Sequence, residues 1–492
     1  MSVVYNRAVL NPRRHVVRGL IAASLVLAMG LGVPGTTRPA QAASKPNIVL
    51  IHMDDWSPKV RGLWSNADRT PALSKFVRNG IEFRNATGST PLCTPGRANL
   101  VTGQWGHNNG VTTNNPTKYD PADNLSIKVR NAGYHTVFGG KFLIKMEKSF
   151  QTRESVKPLA RGWDHFDLIW KRQSSNKAYY YKYLMWTKSG TKFYGTKAKD
   201  HSTKVVAQRV ASHIRNAPKS KPLFVEMSLF DGHKPNLPMK QFVGHPKCQG
   251  VGGWSGLGYN EWNVKDKPAW VRAQPKLKAK SYPLRKACEE IMTVDWAVQK
   301  VQNALASQGR LWNTLMIFTA DNGWMMGEHR LLGGKRVPYA TPIPLYVRWP
   351  AQVGTKRRME TERVSNVDIA PTICAAAGCS VPDADGMSLL PIIKGNKNRL
   401  DRLFVYEEFL DSVPPAPGWY SIRTTKKYST SRRWVYTEYR TGARELYDLI
   451  SDPGQLRNLI RDPEYQARAD DLKALLHSQV IEPDDVRWGK IH

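Results

Sequence analysis

Three shortages narrow what this chain can be. Apart from one stretch near its start, Leu20 to Leu31, no apolar run approaches the ~20 residues needed to cross a bilayer, so no stable membrane span is expected. Acidic residues are scarce beside basic ones, 40 against 73, which leaves a formal charge of +33. A surface of that sign steers polyanions towards it: sulfated glycans, phosphate compounds or anionic envelopes. Cysteine is limited to five residues, an odd number. No internal repeat or low-complexity tract is present, and a 41% apolar share with 16 Trp and 19 Tyr excludes a mainly disordered chain.

The length of 492 residues exceeds what one hydrophobic core usually fills, ~250 to 300 residues, and predicts a large domain with a smaller appendage. At the N-terminus, Arg13, Arg14 and Arg18 precede the apolar stretch and Ala40-Gln41-Ala42 follows it. A charged region, a short apolar core and an A-x-A site read as a signal peptide over residues 1–42. The Arg13-Arg14 pair fits twin-arginine export as well as an ordinary secretory signal. The mature chain is therefore expected outside the cytoplasm, secreted or in the periplasm or cell envelope, with the export machinery as a partner. In an oxidising compartment Cys374 with Cys379, and Cys248 with Cys288, can pair and leave Cys93 odd.

Along the chain, strand and helix patterns alternate. Asn47 to His52 is a short β-branched run that delivers Asp54 and Asp55, as a buried parallel strand would at its C-terminal edge. Thr70-Pro71 opens a helical pattern that stops at Gly80, and Ile81 to Phe83 is extended again. Tyr134 to Phe138, Leu223 to Leu229 and Thr314 to Phe318 read as further strands, with helices over Thr203 to Ile214 and Ile291 to Leu305. Three of these strands end in polar residues, at Asp54, Asp231 and Asp321, where ligands gather in open α/β sheets. The predicted fold class is α/β: a doubly wound, mostly parallel sheet flanked by helices, over residues 44–395. Past Gly395, short aromatic runs at Leu403 to Tyr406, Trp434 to Tyr439 and Glu445 to Leu449, then a helix near Ala467 to Val480, predict an antiparallel α+β subdomain over 396–492. The Lys-rich stretch Lys171 to Lys204 reads as an irregular, solvated insertion.

The segment Pro91-Leu92-Cys93-Thr94-Pro95-Gly96-Arg97, continued by Leu100 and Thr102-Gly103, has a physical logic of its own. Pro95 can open a helix whose free N–H groups face an anion, and Arg97 adds a fixed cation to the same turn. The segment resembles the sulfatase signature C-x-P-x-R…L-x-T-G, with Gly96 where Ser is commoner. Resemblance to that family, part of the alkaline phosphatase superfamily, implies that Cys93 is converted to formylglycine by a formylglycine-generating enzyme. The hydrated aldehyde then attacks sulfur and later expels sulfate.

The resemblance also implies a site. Asp54 and Asp55 match the family's first acidic pair and Asp321 with Asn322 the second, which with Cys93 would hold a divalent metal, calcium before magnesium. Arg97, Lys141 in Gly-Gly-Lys-Phe, His233 in His-Lys-Pro and Lys335 in Gly-Gly-Lys-Arg match the cationic residues around the sulfate, His233 as the acid for the leaving oxygen. Leu143 stands where arylsulfatase-like members have a His. That departure leans the chain towards the N-acetylglucosamine-6-sulfatase-like branch, which implies a sulfated carbohydrate such as a glycosaminoglycan, with an aryl sulfate as the other substrate class. Outer matches at Arg161 to Asp164, Ser365 to Thr372 and Glu445 to Leu449 serve packing and turns. Two other readings compete: a phosphoester or phosphonate ester hydrolase of the same superfamily, and a secreted polyanion binder without catalysis. No specific nucleic acid is expected.

Overall fold

The computed structural model describes residues 45–143, 152–170, 179–414 and 416–479. The signal-peptide reading of residues 1–42 lies outside them. Among the described residues no helix is long and apolar enough to cross a membrane.

Ten strands form one sheet: β1 (Asn47–Met53), β2 (Ile81–Thr87), β3 (His135–Gly140), β4 (His165–Trp170), β5 (Tyr183–Thr187), β6 (Gly190–Tyr194), β7 (Leu223–Ser228), β8 (Thr314–Ala320), β9 (Leu345–Arg348) and β10 (Arg358–Ser365). Their order is β10-β2-β9-β8-β1-β7-β3-β4-β5-β6. The central run β8-β1-β7-β3-β4 is parallel. All residues of β1, β7 and β8 are buried, which is why they read as continuous apolar runs without alternation. Antiparallel β9 links the parallel pair β2 and β10 to β8, and the β5–β6 hairpin closes the other edge. Helices flank the sheet, the longest being Ser202–Asn216 and Arg285–Ser307, whose buried faces join the main core.

A second sheet is an antiparallel meander of β11 (Phe404–Phe409), β12 (Trp419–Thr424), β13 (Trp434–Tyr439) and β14 (Arg444–Asp448). The helix Gln466–His477 covers it, packing Ala469, Leu472 and Leu476 on Tyr406, Ile422 and Tyr436. The predicted α/β class with its antiparallel C-terminal sheet is what the chain adopts.

Three sequence expectations need correction. The Lys-rich insertion is not irregular throughout: residues 179–204 include the β5–β6 hairpin, with Tyr183, Met185 and Trp186 buried and the lysines turned outward. Lysine content hid a strand whose other residues are apolar. Strands β4, β9, β10 and β12 were not anticipated, the last because it follows the turn-rich stretch Val413 to Gly418. Pro95 does not open its helix. The helix runs Cys93–Thr102 after an extended Leu92, and the N–H of Gly96 already donates to Leu92 O at 2.8 Å. Pro95 is tolerated in that first turn because its missing N–H has no partner to lose there.

The disulfides pair Cys248 with Cys288 and Cys374 with Cys379, and leave Cys93 free and buried.

Candidate active site

Parallel strands deliver their last residues to the same edge, so the neighbours β8, β1, β7 and β3 bring four distant segments together. Backbone hydrogen bonds continue past the strand ends: Asp321 N to Met53 O at 3.0 Å, Asp54 N to Asp231 O at 3.2 Å and Lys141 N to Ser228 O at 3.0 Å. Over this edge lies the N-terminus of the Cys93 helix.

Cys93 Sγ stands 3.1 Å from Asp54 Oδ1, 3.8 Å from Asp55 Oδ1 and 2.8 Å from Lys335 Nζ. Asp55 Oδ1 accepts from Lys335 Nζ at 2.6 Å and from Asn322 Nδ2 at 2.7 Å. Asp54 binds Lys141 Nζ, and Arg97 Nε donates to Asp321 Oδ2 at 2.8 Å. Asp54, Cys93 and Asp321 offer ligand atoms that all lie within 4.8 Å of one another. His233 completes the group: its Nδ1–H donates to Lys234 O at 2.6 Å, and its ring lies within the field of Asp54, Lys141, Asp55 and Lys335. Every residue singled out in the sequence thus falls in one cluster.

Burial sets the electrostatics. It opposes ionisation of Asp54, yet Lys141, His233, Arg97 and Lys335 overcome it and hold that carboxyl well below its ordinary value. Burial and the neighbouring Asp54 push Asp321 up to about 7. Burial and Asp54 also push the Cys93 thiol well up. Burial lowers His233, against the pull of Asp54.

A divalent cation fits this donor set. Asp54, Asp55, Asp321 and Asn322 are buried hard-oxygen donors, and Asn322 Oδ1 is a buried carbonyl oxygen with no hydrogen-bond partner among the described residues.

Two glycines fit the backbone around these groups. A Cβ on Gly96 would sit 2.3 Å from Asp321 O, so glycine at this departure from the commoner Ser lets the Cys93 helix lie against the end of β8. Gly140 has φ +124°, and a Cβ there would meet Ser228 O at 1.7 Å. Gly140→Ala is therefore expected to displace Lys141 and lower turnover at least ~100-fold with the chain still folded. Steady-state kinetics beside a melting curve check this.

Sequence reasoning missed Ser228. Its Oγ contacts Arg97 Nη1 and Lys141 O, tying the two cations to the end of β7. The available signal was its place as the last polar residue of an apolar strand. It named Asp231 as a strand end but missed Glu290, the buried acid beside it. Burial and the nearby Asp231 raise Glu290 to about 8, and Glu290 accepts from Tyr180 OH at 3.0 Å and Asn236 Nδ2 at 2.7 Å. A carboxyl raised on folding takes up a proton, so its stabilisation is complete below ~pH 4 and is lost as pH rises through about 8. Melting temperature should fall across that window, and Glu290→Gln should flatten the profile.

Above the cluster opens a cleft of about 400 Å³, lined among others by His233, Lys234, Gln274, Trp324, Lys335 and Arg336. Three carboxylates and three cations nearly cancel beneath it, a balance that a dication and an oxyanion would complete together. Such a charge arrangement can hold a divalent cation and an oxyanion side by side.

The chain belongs to the sulfatase family: that family's model matches residues 46–379, and the model for the N-sulphoglucosamine sulphohydrolase C-terminal region matches 327–482. It is 29% identical to the extracellular sulfatase SULF-1 homologue of Drosophila melanogaster over 73% of this chain, of which it spans 32%. The arylsulfatase of Clostridium perfringens is 27% identical over 88% of this chain and 94% of its own length. The N-acetylglucosamine-6-sulfatase of Homo sapiens is 27% identical over 89% and 85%. Among solved structures, a protein in complex with its substrate D-glucosamine-2-N,6-O-disulfate superposes with a TM-score of 0.68 at 22% identity, covering 90% of this chain and 99% of that one. The phosphonate monoester hydrolase of Agrobacterium radiobacter shares the fold at a TM-score of 0.67 and 20% identity, covering 88% and 95%.

Proposed function

We propose that this protein is an exported sulfatase that hydrolyses sulfate esters of a carbohydrate, with sulfated amino sugars as the leading class. The observation that carries the reading is the placement of Cys93 Sγ, buried and between Asp54 at 3.1 Å and Lys335 at 2.8 Å, beside four oxygen donors. A thiol that attacked sulfur would be left sulfated with no second hydroxyl to expel sulfate, which favours conversion of Cys93 over direct attack by sulfur. Formylglycine at this position supplies a hydrated aldehyde that attacks sulfur and, on collapse, releases sulfate. The metal, calcium before magnesium, supplies charge neutralisation for the sulfate oxygens and would be held by Asp54, Asp55, Asp321 and Asn322.

The chain's own side chains do the rest. Lys141 and Lys335 flank residue 93 and offset the sulfate's charge, while Arg97 fixes Asp321 and Lys141 through its hydrogen bonds. His233 uses Nδ1–H on the Lys234 carbonyl, so its doubly protonated form, opposed by burial and favoured by Asp54, is the one that offers an Nε2 proton to the leaving oxygen. Leu143 is buried in the core and takes no proton. The carboxylate oxygens of Asp54 and Asp55 are the acceptors that stand close to residue 93. On this reading residues 44–395 form the catalytic domain and 396–492 its subdomain.

The relatives named for extracellular sulfatases and N-acetylglucosamine-6-sulfatase support export and an amino-sugar substrate. The shared fold of a phosphonate monoester hydrolase makes the deciding assay a side-by-side turnover of aryl sulfate and aryl phosphate. A large preference for phosphate would sink the sulfatase reading.

A further inference from the structure

A second cavity, of about 380 Å³, lies where the two sheets meet and shares no lining residue with the cleft over Cys93. Its walls include Thr87 of β2, Arg363 of β10 and Arg423 of β12, with Arg84 also on its lining. Arg363 is only 4% exposed and forms no ion pair among the described residues. Its Nε donates to Thr424 O at 3.2 Å, and its terminal nitrogens have no hydrogen-bond partner there. Of the two carboxylates whose field reaches it, neither pairs with it, although Glu362 keeps a buried Oε2 without a hydrogen-bond partner among the described residues. Glu407 is held by Arg423 Nε at 2.8 and 2.9 Å, and Glu362 accepts from Leu400 N at 3.4 Å. Thr87 Oγ1, on the same cavity, is buried without a partner. A guanidinium left so, and repelled by Arg423, holds its proton less firmly than usual, at about 9, chiefly through burial.

We propose that this cavity is a second anion site, separate from catalysis, which takes a tetrahedral oxyanion, sulfate first, on Arg363 and Thr87. The guanidinium fork suits such an anion and the Thr87 hydroxyl adds a donor. The anion comes either as free inorganic sulfate or as a sulfate group on a glycan chain. Occupied, the site ties β10 to β2 within the large sheet, on the side that faces Arg423 of β12.

Calorimetric titration of the full chain with sodium sulfate, at ionic strength held constant with chloride, tests this. Wild type is expected to bind two sulfate ions, and Arg363→Met one. Saturating sulfate should raise the wild-type Tm about 1–3 °C more than that of Arg363→Met. Without sulfate the variant should melt no lower than wild type, because an unpaired buried cation is gone. Inhibition of turnover by sulfate, which reads the catalytic cleft, should be equal in both. If Arg363→Met does not fold, Thr87→Val carries the test, with second-site affinity weakened about 3- to 10-fold. A sulfated disaccharide that fills the second site marks a chain-borne group, and its exclusion marks the free ion. One sulfate in wild type, or equal stoichiometry in wild type and variant, would overturn the proposal.

Discussion

Cys93→Ala is expected to lower sulfate-ester turnover by about 10⁴-fold or more while shifting the melting temperature by only ~2 °C. The two halves of that result come from different parts of the same geometry. Removing one buried sulfur leaves no charge without a partner: Lys335 keeps Asp55 at 2.6 Å, and Asp54 keeps Lys141. The structural cost is then a small cavity, about 1 kcal/mol. Chemistry, by contrast, loses the group that the proposed mechanism uses to attack. Cys93→Ser separates the mechanisms further. A serine hydroxyl that attacks sulfur forms an ester that cannot collapse, so rapid mixing should show at most one equivalent of alcohol released and then arrest. Sustained turnover by the unconverted thiol, with the Cys93 peptide at its unmodified mass, would falsify the proposed nucleophile.

Asp54→Asn should act on stability and activity together. Asp54 is fully buried and is the shared partner of Lys141 and, at 3.8 Å, of Arg97. Taking its charge away leaves Lys141 buried without a counter-ion, a loss of about 3–5 kcal/mol. The same change removes a charged ligand from the cation pocket, and activity should fall at least ~10³-fold. Chelation is the discriminating measurement: it should lower the wild-type Tm and leave that of Asp54→Asn almost unmoved. Equal sensitivity to chelator in both proteins would take Asp54 out of the ligand set. The acid side of the stability profile carries the matching sign. Because the folded carboxyl lies well below its ordinary value, the stabilisation from Asp54 is present above ~pH 4 and is lost only as pH falls through that depressed value.

Much of this site could be read before any fold was known, and for a definite reason. Cys93, Arg97, Lys141 and Lys335 sit in short contiguous segments whose residue order is itself the chemical signal. Asp54 and Asp321 were visible because each ends a continuous apolar strand, and strand ends are where an α/β sheet presents polar groups. The Cys93 helix start was misjudged because Pro95 signals a helix opening by propensity, while the actual opening is fixed by Leu92 O. Ser228 and Glu290 were silent for another reason. Their roles arise from contacts between segments far apart in the chain, such as Arg97 with Ser228 across 131 residues, and no local pattern encodes these. The same holds for Arg363, which reads as one more basic residue in a chain rich in them until its burial is seen.

Complete burial of Cys93 also has a consequence in time. A modifying enzyme cannot reach a side chain with no exposure in the folded chain, so the proposed conversion of Cys93 requires that the enzyme act before the site closes. Closure needs Asp321, which lies 224 residues after its partner Arg97. At ~5–20 residues per second of synthesis, that separation keeps the cysteine segment open for about 10–45 s after it is made. Strand order along the chain thus acts as a delay: the central sheet cannot seal residue 93 until β8 has arrived.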